Sequence, residues 1–143
     1  MKTIPVSVLT DFVSRIFQAA GVSASVAEKV ALSLVASNLA GHDSHGVVRV
    51  MQYVGAVERG ETVGDATPAV THETAVMATV DARRAFGQVA GAFAMQMAID
   101  KARHAGISAV ALHNSSHVGR LGEWVEMAAA EGMIGLAFCN GGR

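Results

Sequence analysis

An α/β protein is predicted, with a helical lobe over residues 1–65 and an alternating strand and helix unit over residues 66–143. Apolar residues recur at helical spacing as far as Arg59, and short apolar runs alternate with helical patterns after Thr74. Gly106 and Gly132 stand where helices would hand over to strands. A chain of 143 residues that is 51% hydrophobic and 16% charged suits one compact domain or two small lobes, not a disordered tail.

In chain order, "PVSVLTDFVSRIFQAA" (5–20) sets Leu9, Phe12, Val13, Ile16 and Ala20 at helical spacing, and Gly21 supplies a stop. Ser25 with Glu28 has capping-box spacing and opens a second helix through about Leu39, whose few polar residues predict burial over much of its surface. A third helix is predicted from Ser44 to Arg59, capped by Asp43 or Ser44 and ended by Gly60. At about 100° per residue from His45, the residues Val47, Val50, Met51, Val54 and Val57 fill the sector from about 120° to 240°, the packed face. His45, Arg49 and Gln52 fall on the opposite side as a polar ridge.

The stretch "ETVGDATPAVTHE" (61–73) lacks periodicity, carries Gly64 and Pro68, and reads as a linker with a boundary near residue 65. A strand over 74–81, a helix over 86–104, a strand over 107–113, a helix over 121–131 and a strand over 133–139 follow, in the order βαβαβ. The last of these runs into a Gly-rich end where an α/β unit would continue, so the chain reads as interrupted.

Lys plus Arg number 11 and Asp plus Glu 12, and no basic block is interleaved with aromatic residues, so nucleic-acid binding has little support. Cys139 is the single cysteine, which rules out an intrachain disulfide; flanked by Phe138, it reads as a core thiol. The N-terminus lacks a basic segment followed by a long apolar run, and no apolar stretch reaches the roughly 18 residues that span a bilayer. A soluble cytoplasmic protein without a membrane partner is the expectation.

The loop "HNSSHVGRLG" (113–122) follows a predicted strand and leads into a helix, the place where open α/β sheets bind ligands. His117 there is either a functional imidazole or a loop histidine bonded to backbone, and His113 reads as structural. Arg120 either orients an anion or caps the turn. An imidazole ordinarily titrates near neutrality, so that either His45 or His117 is a candidate to move a proton, and Arg49 offers a planar donor fork to a carboxylate. A zinc site built from His42, His45, His113 and His117 is disfavoured, since neither pair has the glutamate of an HExxH motif or a cysteine partner. Neither GxGxxG nor GxxxxGK[ST] occurs.

The segments "GHDSHGVVRVMQYV" (41–54), "HNSSHVGRLG" and "GMIGLAFCN" (132–140), in this order and spacing, resemble the malate/L-lactate dehydrogenase family of NAD(P)-dependent oxidoreductases, which is unrelated to the Rossmann-type lactate and malate enzymes. The family also holds ureidoglycolate, sulfolactate and diketogulonate enzymes and cyclic-imine carboxylate reductases. The resemblance implies that residues 66–143 begin an unusual non-Rossmann NAD(P)-binding α/β domain, apparently truncated. It also implies hydride exchange between NAD or NADP and C2 of a small 2-hydroxy or 2-oxo acid, or of a related imino acid.

Residue by residue, the resemblance places the motif serine on Ser44, a proton donor on His45, the substrate-carboxylate clamp on Arg49 and a proton acceptor on His117, with the choice between the two histidines open. Asn140 and Gly141 become cofactor contacts, Gly141 standing where relatives often carry serine. A GTNP-like stretch of the family does not follow, so the chain is read as a fragment of an active enzyme or, second, a truncated relative. A homodimer is expected. The competing functions are a noncatalytic binding or structural α/β protein and a metal-assisted hydrolase.

Overall fold

The computed structural model describes residues 3–140. The N-terminal part consists of α1 (Val6–Ala19), α2 (Ala24–Leu39) and α3 (Val50–Glu58), with two 3₁₀ turns, Asp43–His45 and Val47–Arg49, between α2 and α3. The rest follows as β1 (Ala69–Glu73), β2 (Met77–Asp81), α4 (Gly87–Ala105), β3 (Ala109–His113) and α5 (Leu121–Ala130). The sheet order is β1-β2-β3, antiparallel between β1 and β2 and parallel between β2 and β3, so α4 is the crossover that a parallel pair requires. The fold is thus an α/β architecture with an N-terminal helical region and a small mixed sheet, as expected.

The core lies where α1, α2 and α3 meet the start of α4. Phe17, Leu34, Val30, Ala31, Val50, Tyr53 and Phe86 are buried there, with the Phe17 and Phe86 rings edge to face at 5.7 Å. Each large side chain removed from water in this cluster contributes about 1.5–3 kcal/mol. α2 is covered on several sides, burying Ala27, Val30, Ala31, Leu34 and Val35, in keeping with its apolar composition.

Several elements depart from the sequence reading. The N-cap of α2 is Ser23, not Ser25, and its side chain makes no capping bond; instead its N–H donates to Asp65 Oδ1 at 3.0 Å, which fixes where the helix begins. The third helix is not continuous from Ser44, because Gly46 is extended (φ −89°, ψ −153°). A Cβ at Gly46 would lie 2.1 Å from Asn38 Oδ1. That side chain closes both turns, accepting from Val47 N–H at 2.8 Å and donating to Asp43 Oδ1 at 2.6 Å. The break changes the helical phase, leaving Met51 73% exposed while Tyr53 turns inward.

The observed order after residue 65 is ββαβα instead of βαβαβ. The supposed linker contains β1, which is largely exposed and therefore shows no apolar alternation. Residues 133–139 form no strand: Ile134 is 95% and Phe138 88% exposed, and among the described residues no neighbouring strand pairs with them. Cys139 is accordingly exposed, not a core thiol.

Candidate functional site

Three segments converge on His117. The 3₁₀ turns carry Ser44, His45 and Arg49, α3 carries Gln52 and Tyr53, and the loop after β3 carries His117 itself. That loop leaves the carboxyl end of a strand in the parallel pair, the position from which open α/β sheets reach ligands.

The loop is firmly seated. Ala82 N–H donates to His113 O at 2.9 Å, Arg84 N–H to Asn114 O at 2.8 Å and Ser116 N–H to Ala85 O at 3.3 Å. Asn114 takes a left-handed conformation (φ 53°) and donates from Nδ2 to Asp81 Oδ1 at 3.0 Å. The Asp81 carboxyl is held below the usual carboxylate range, first by the Arg83 N–H and then by Asn114. A Cβ on Gly87 would sit 2.1 Å from His117 O, and one on Gly91 2.7 Å from the Trp124 ring, so the glycines opening α4 admit the loop and α5. Thr62 and Ser116 hydroxyls share a 2.7 Å bond that ties the segment after α3 to the same loop.

The His45 and His117 rings stack with centroids 5.5 Å apart and planes 25° from parallel. Ser44 Oγ lies 3.0 Å from His45 Nδ1. Arg49 donates from Nε to Ser44 O at 2.6 Å and from Nη1 to Gln52 Oε1 at 2.7 Å; its Nη2 has no bond among the described residues. On the other side of His117, Nδ1 meets Tyr53 Oη at 2.7 Å, and Tyr53 accepts from Gln88 Nε2 at 3.0 Å. Loss of surrounding water lowers the His117 pKa, and the nearby Arg49 and His45 add to the effect. Burial raises that of the Tyr53 phenol, with Gln88 and Arg49 opposing. The neutral forms of both are therefore favoured.

Beside His117 opens a cavity of about 390 Å³, lined by residues that include Gln52, Tyr53, Thr62, Arg84 and Ser116. It lies near the lower end of the roughly 300–1,000 Å³ typical of small-molecule sites. A second hollow of about 440 Å³, between the β1–β2 turn and α4, is lined by residues that include Phe93, Met97, Lys101 and His104, and by neither His45 nor His117.

The structure thus brings together Ser44, His45, Arg49 and His117. His42 is turned to the backbone two residues before it, Nδ1 lying 3.0 Å from Ala40 O, and His113 is exposed at the strand end. Arg120 forms a two-pronged pair with Glu126, both bonds 2.7 Å, at the start of α5. Asn140 is exposed at the end of the described chain, and Gly141 lies outside the described residues. Among the described residues no group of three or more His, Cys, Asp or Glu is placed to hold a metal, and no helix is long and apolar enough to cross a membrane. Sequence reasoning missed Tyr53 and Gln88. Tyr53 was hidden by the expected unbroken helix, and Gln88 carried no motif.

Glu123 is half-buried and accepts from Ser33 Oγ at 2.6 Å. Burial raises its pKa above the usual glutamate value, Glu126 adds to this, and Ser33 and Arg120 oppose. A carboxyl raised on folding makes the folded chain hold more protons than the unfolded one. Its favourable contribution is complete below the unfolded value of about 4.3 and is lost as pH rises through the folded value. Glu123→Gln is therefore expected to raise Tm by on the order of a few degrees at pH 7 and to make little difference near pH 4. Calorimetry at the two pH values checks this, and an equal gain at both would contradict it.

Comparison with known proteins gives a consistent result. A family model described as malate/L-lactate dehydrogenase matches residues 4–143. Hydroxycarboxylate dehydrogenase B of Escherichia coli is 42% identical over 132 residues, covering 92% of this chain and 37% of the relative. The Delta(1)-pyrroline-2-carboxylate/Delta(1)-piperideine-2-carboxylate reductase of Pseudomonas putida is 38% identical over 137 residues, 96% of this chain and 40% of that protein. The structure of malate dehydrogenase from Pyrococcus horikoshii superposes with a TM-score of 0.87 at 36% identity, covering 92% of this chain and 38% of that one. The chain therefore spans about two fifths of the length of the relatives it matches.

Proposed function

We propose that this chain, which belongs to the malate/L-lactate dehydrogenase family, supplies the carboxylate-binding and proton-handling part of an oxidoreductase acting at C2 of a small 2-hydroxy or 2-oxo acid such as malate or lactate. The observation that carries this is the His45–His117 ring pair at 5.5 Å, with Arg49 one turn beyond His45. Arg49 is held at Nε and Nη1 by Ser44 and Gln52, which leaves Nη2, unbonded among the described residues, as the donor for an acid carboxylate. His45, bonded through Nδ1 to Ser44, and the neutral His117 then flank the C2 oxygen. NAD or NADP, when bound, would take up or return the hydride.

The described residues fit the reacting end of such a cofactor better than its phosphates. The cavity beside His117 is small, and the glycines that open α4 are packed against His117 and Trp124, which leaves no cradle there for a phosphate. Asn140 and Gly141 keep their assignment as cofactor contacts on the resemblance alone. A homodimer and a cytoplasmic location belong to the same reading; exposed Phe12, Leu32, Val48 and Met51 offer apolar surface to a second copy. A cyclic imino acid as substrate is supported by the reductase relative named above.

Two measurements test this. Titration of the chain with oxamate, a 2-oxo acid mimic, is expected to shift the His45 and His117 ring signals in NMR spectra, and Arg49→Ala should abolish the shift. The intact gene product is expected to oxidise NADH or NADPH with at least one 2-oxo or cyclic imino acid. Rings indifferent to millimolar oxamate, together with no turnover of any such acid, would favour a noncatalytic binding protein.

A further inference from the structure

We propose that Gln88 and Tyr53 are positioning residues that hold His117 as the neutral Nε2–H tautomer, so that His117 serves the C2 oxygen as a hydrogen-bond donor and leaves proton transfer to His45. The functional half of this statement rests on the reading above; the tautomer does not. Gln88 is 1% exposed, and its Nε2 can only donate, so at 3.0 Å the Tyr53 oxygen accepts from it. The single phenolic proton of Tyr53 then points to His117 Nδ1 at 2.7 Å. With Nδ1 accepting, the ring proton of a neutral His117 sits on Nε2, the nitrogen that Tyr53 does not engage.

The opposite polarity is disfavoured by burial. In the observed arrangement Gln88 Oε1 has no partner and one of the two amide N–H groups is spare. Turning the amide over would satisfy that oxygen but strand both amide N–H groups, and buried unpaired donors are rarer than under-satisfied carbonyls. The loop also passes close to the amide, since a Cβ on Gly119 (φ +74°) would lie 3.0 Å from Gln88 Nε2. An imidazolium at His117 would have to donate from Nδ1 to an oxygen already accepting from Gln88, displacing the phenolic proton. Arg49 and His45, the charged and titratable neighbours of the ring, also disfavour that cation.

A neutral imidazole donating one N–H polarises a carbonyl without surrendering its proton. His45, stacked beside it and bonded to Ser44, is left as the acid. As the C2 oxygen gains charge, the His45 N–H bond breaks and the O–H bond forms, while the His117 N–H···O bond remains.

The test is a long-range proton–nitrogen NMR spectrum of the chain labelled with ¹⁵N-histidine, at a pH where His117 is neutral. The wild type is expected to show His117 protonated at Nε2. In Gln88→Glu a carboxylate would accept the Tyr53 proton, reverse the chain of bonds and move the His117 proton to Nδ1. Should that variant fail to fold, Tyr53→Phe, which removes only the hydroxyl, is expected to give a mixture of tautomers and a higher His117 pKa, because the donor to its neutral form is gone. A wild-type ring protonated at Nδ1, or a tautomer unchanged in the folded variants, would overturn the proposal. Because no substrate enters this measurement, it can fail while oxamate binding succeeds, and the reverse.

Discussion

Replacing His117 with alanine is expected to lower kcat of the intact gene product by about a hundred- to a thousandfold, the usual cost of losing one donor aimed at a developing oxyanion. KM should change little, because the role proposed for the imidazole is at the C2 oxygen and not at the carboxylate. His117→Gln separates the two roles an imidazole can play. An amide N–H can still donate a hydrogen bond, so the glutamine variant should recover part of the lost rate. It cannot accept and hold a proton, so a general-base His117 would leave glutamine as poor as alanine. The Ser116 N–H bond to Ala85 O and the Thr62–Ser116 hydroxyl bond hold this loop without the imidazole, and the loss is therefore expected to be chemical and not a consequence of unfolding. Steady-state kinetics alongside thermal melts of the three proteins decide the matter.

Arg49→Ala should act on the other kinetic constant. Charge-assisted hydrogen bonds from a guanidinium to a carboxylate contribute about 1.5–3 kcal/mol, so KM for the acid is expected to rise about ten- to a hundredfold or somewhat more, with kcat much less affected. Folding stability should barely change, since the partners that Arg49 releases, Ser44 O and Gln52 Oε1, sit on exposed residues and can bond to water. Arg49→Lys should recover only part of the affinity. An ammonium lacks the planar fork that grips Ser44 and Gln52 while presenting a further N–H outward. A KM that stays at the wild-type value in both variants would remove Arg49 from the carboxylate site.

The helices were legible because their signals are local. α1, α4 and α5 follow apolar spacing and glycine stops, and the structure places their ends within a residue or so of the sequence reading. The third helix was misread because the reason for its break lies elsewhere in the chain. Gly46 is extended because the Asn38 side chain, nine residues before Val47, occupies the space beside it and caps the turns. Residues 133–139 have the composition of a buried strand, but a strand also needs a neighbour to bond with, and composition cannot supply one.

Periodicity along the chain carries the α/β class and the helical start, and the resemblance to the family carries the candidate site residues Ser44, His45, Arg49 and His117. Those are statements about periodicity and about a motif in two parts, and both are written along the chain. That the two histidines, far apart in sequence, stack ring on ring follows from the way the chain folds. The same folding puts Tyr53 and Gln88 behind one of them. Hydrogen-bond direction inside a core depends on which donors and acceptors folding brings within about 3 Å of one another, and Gln88, one amide among many polar residues, shows its part only once it is buried.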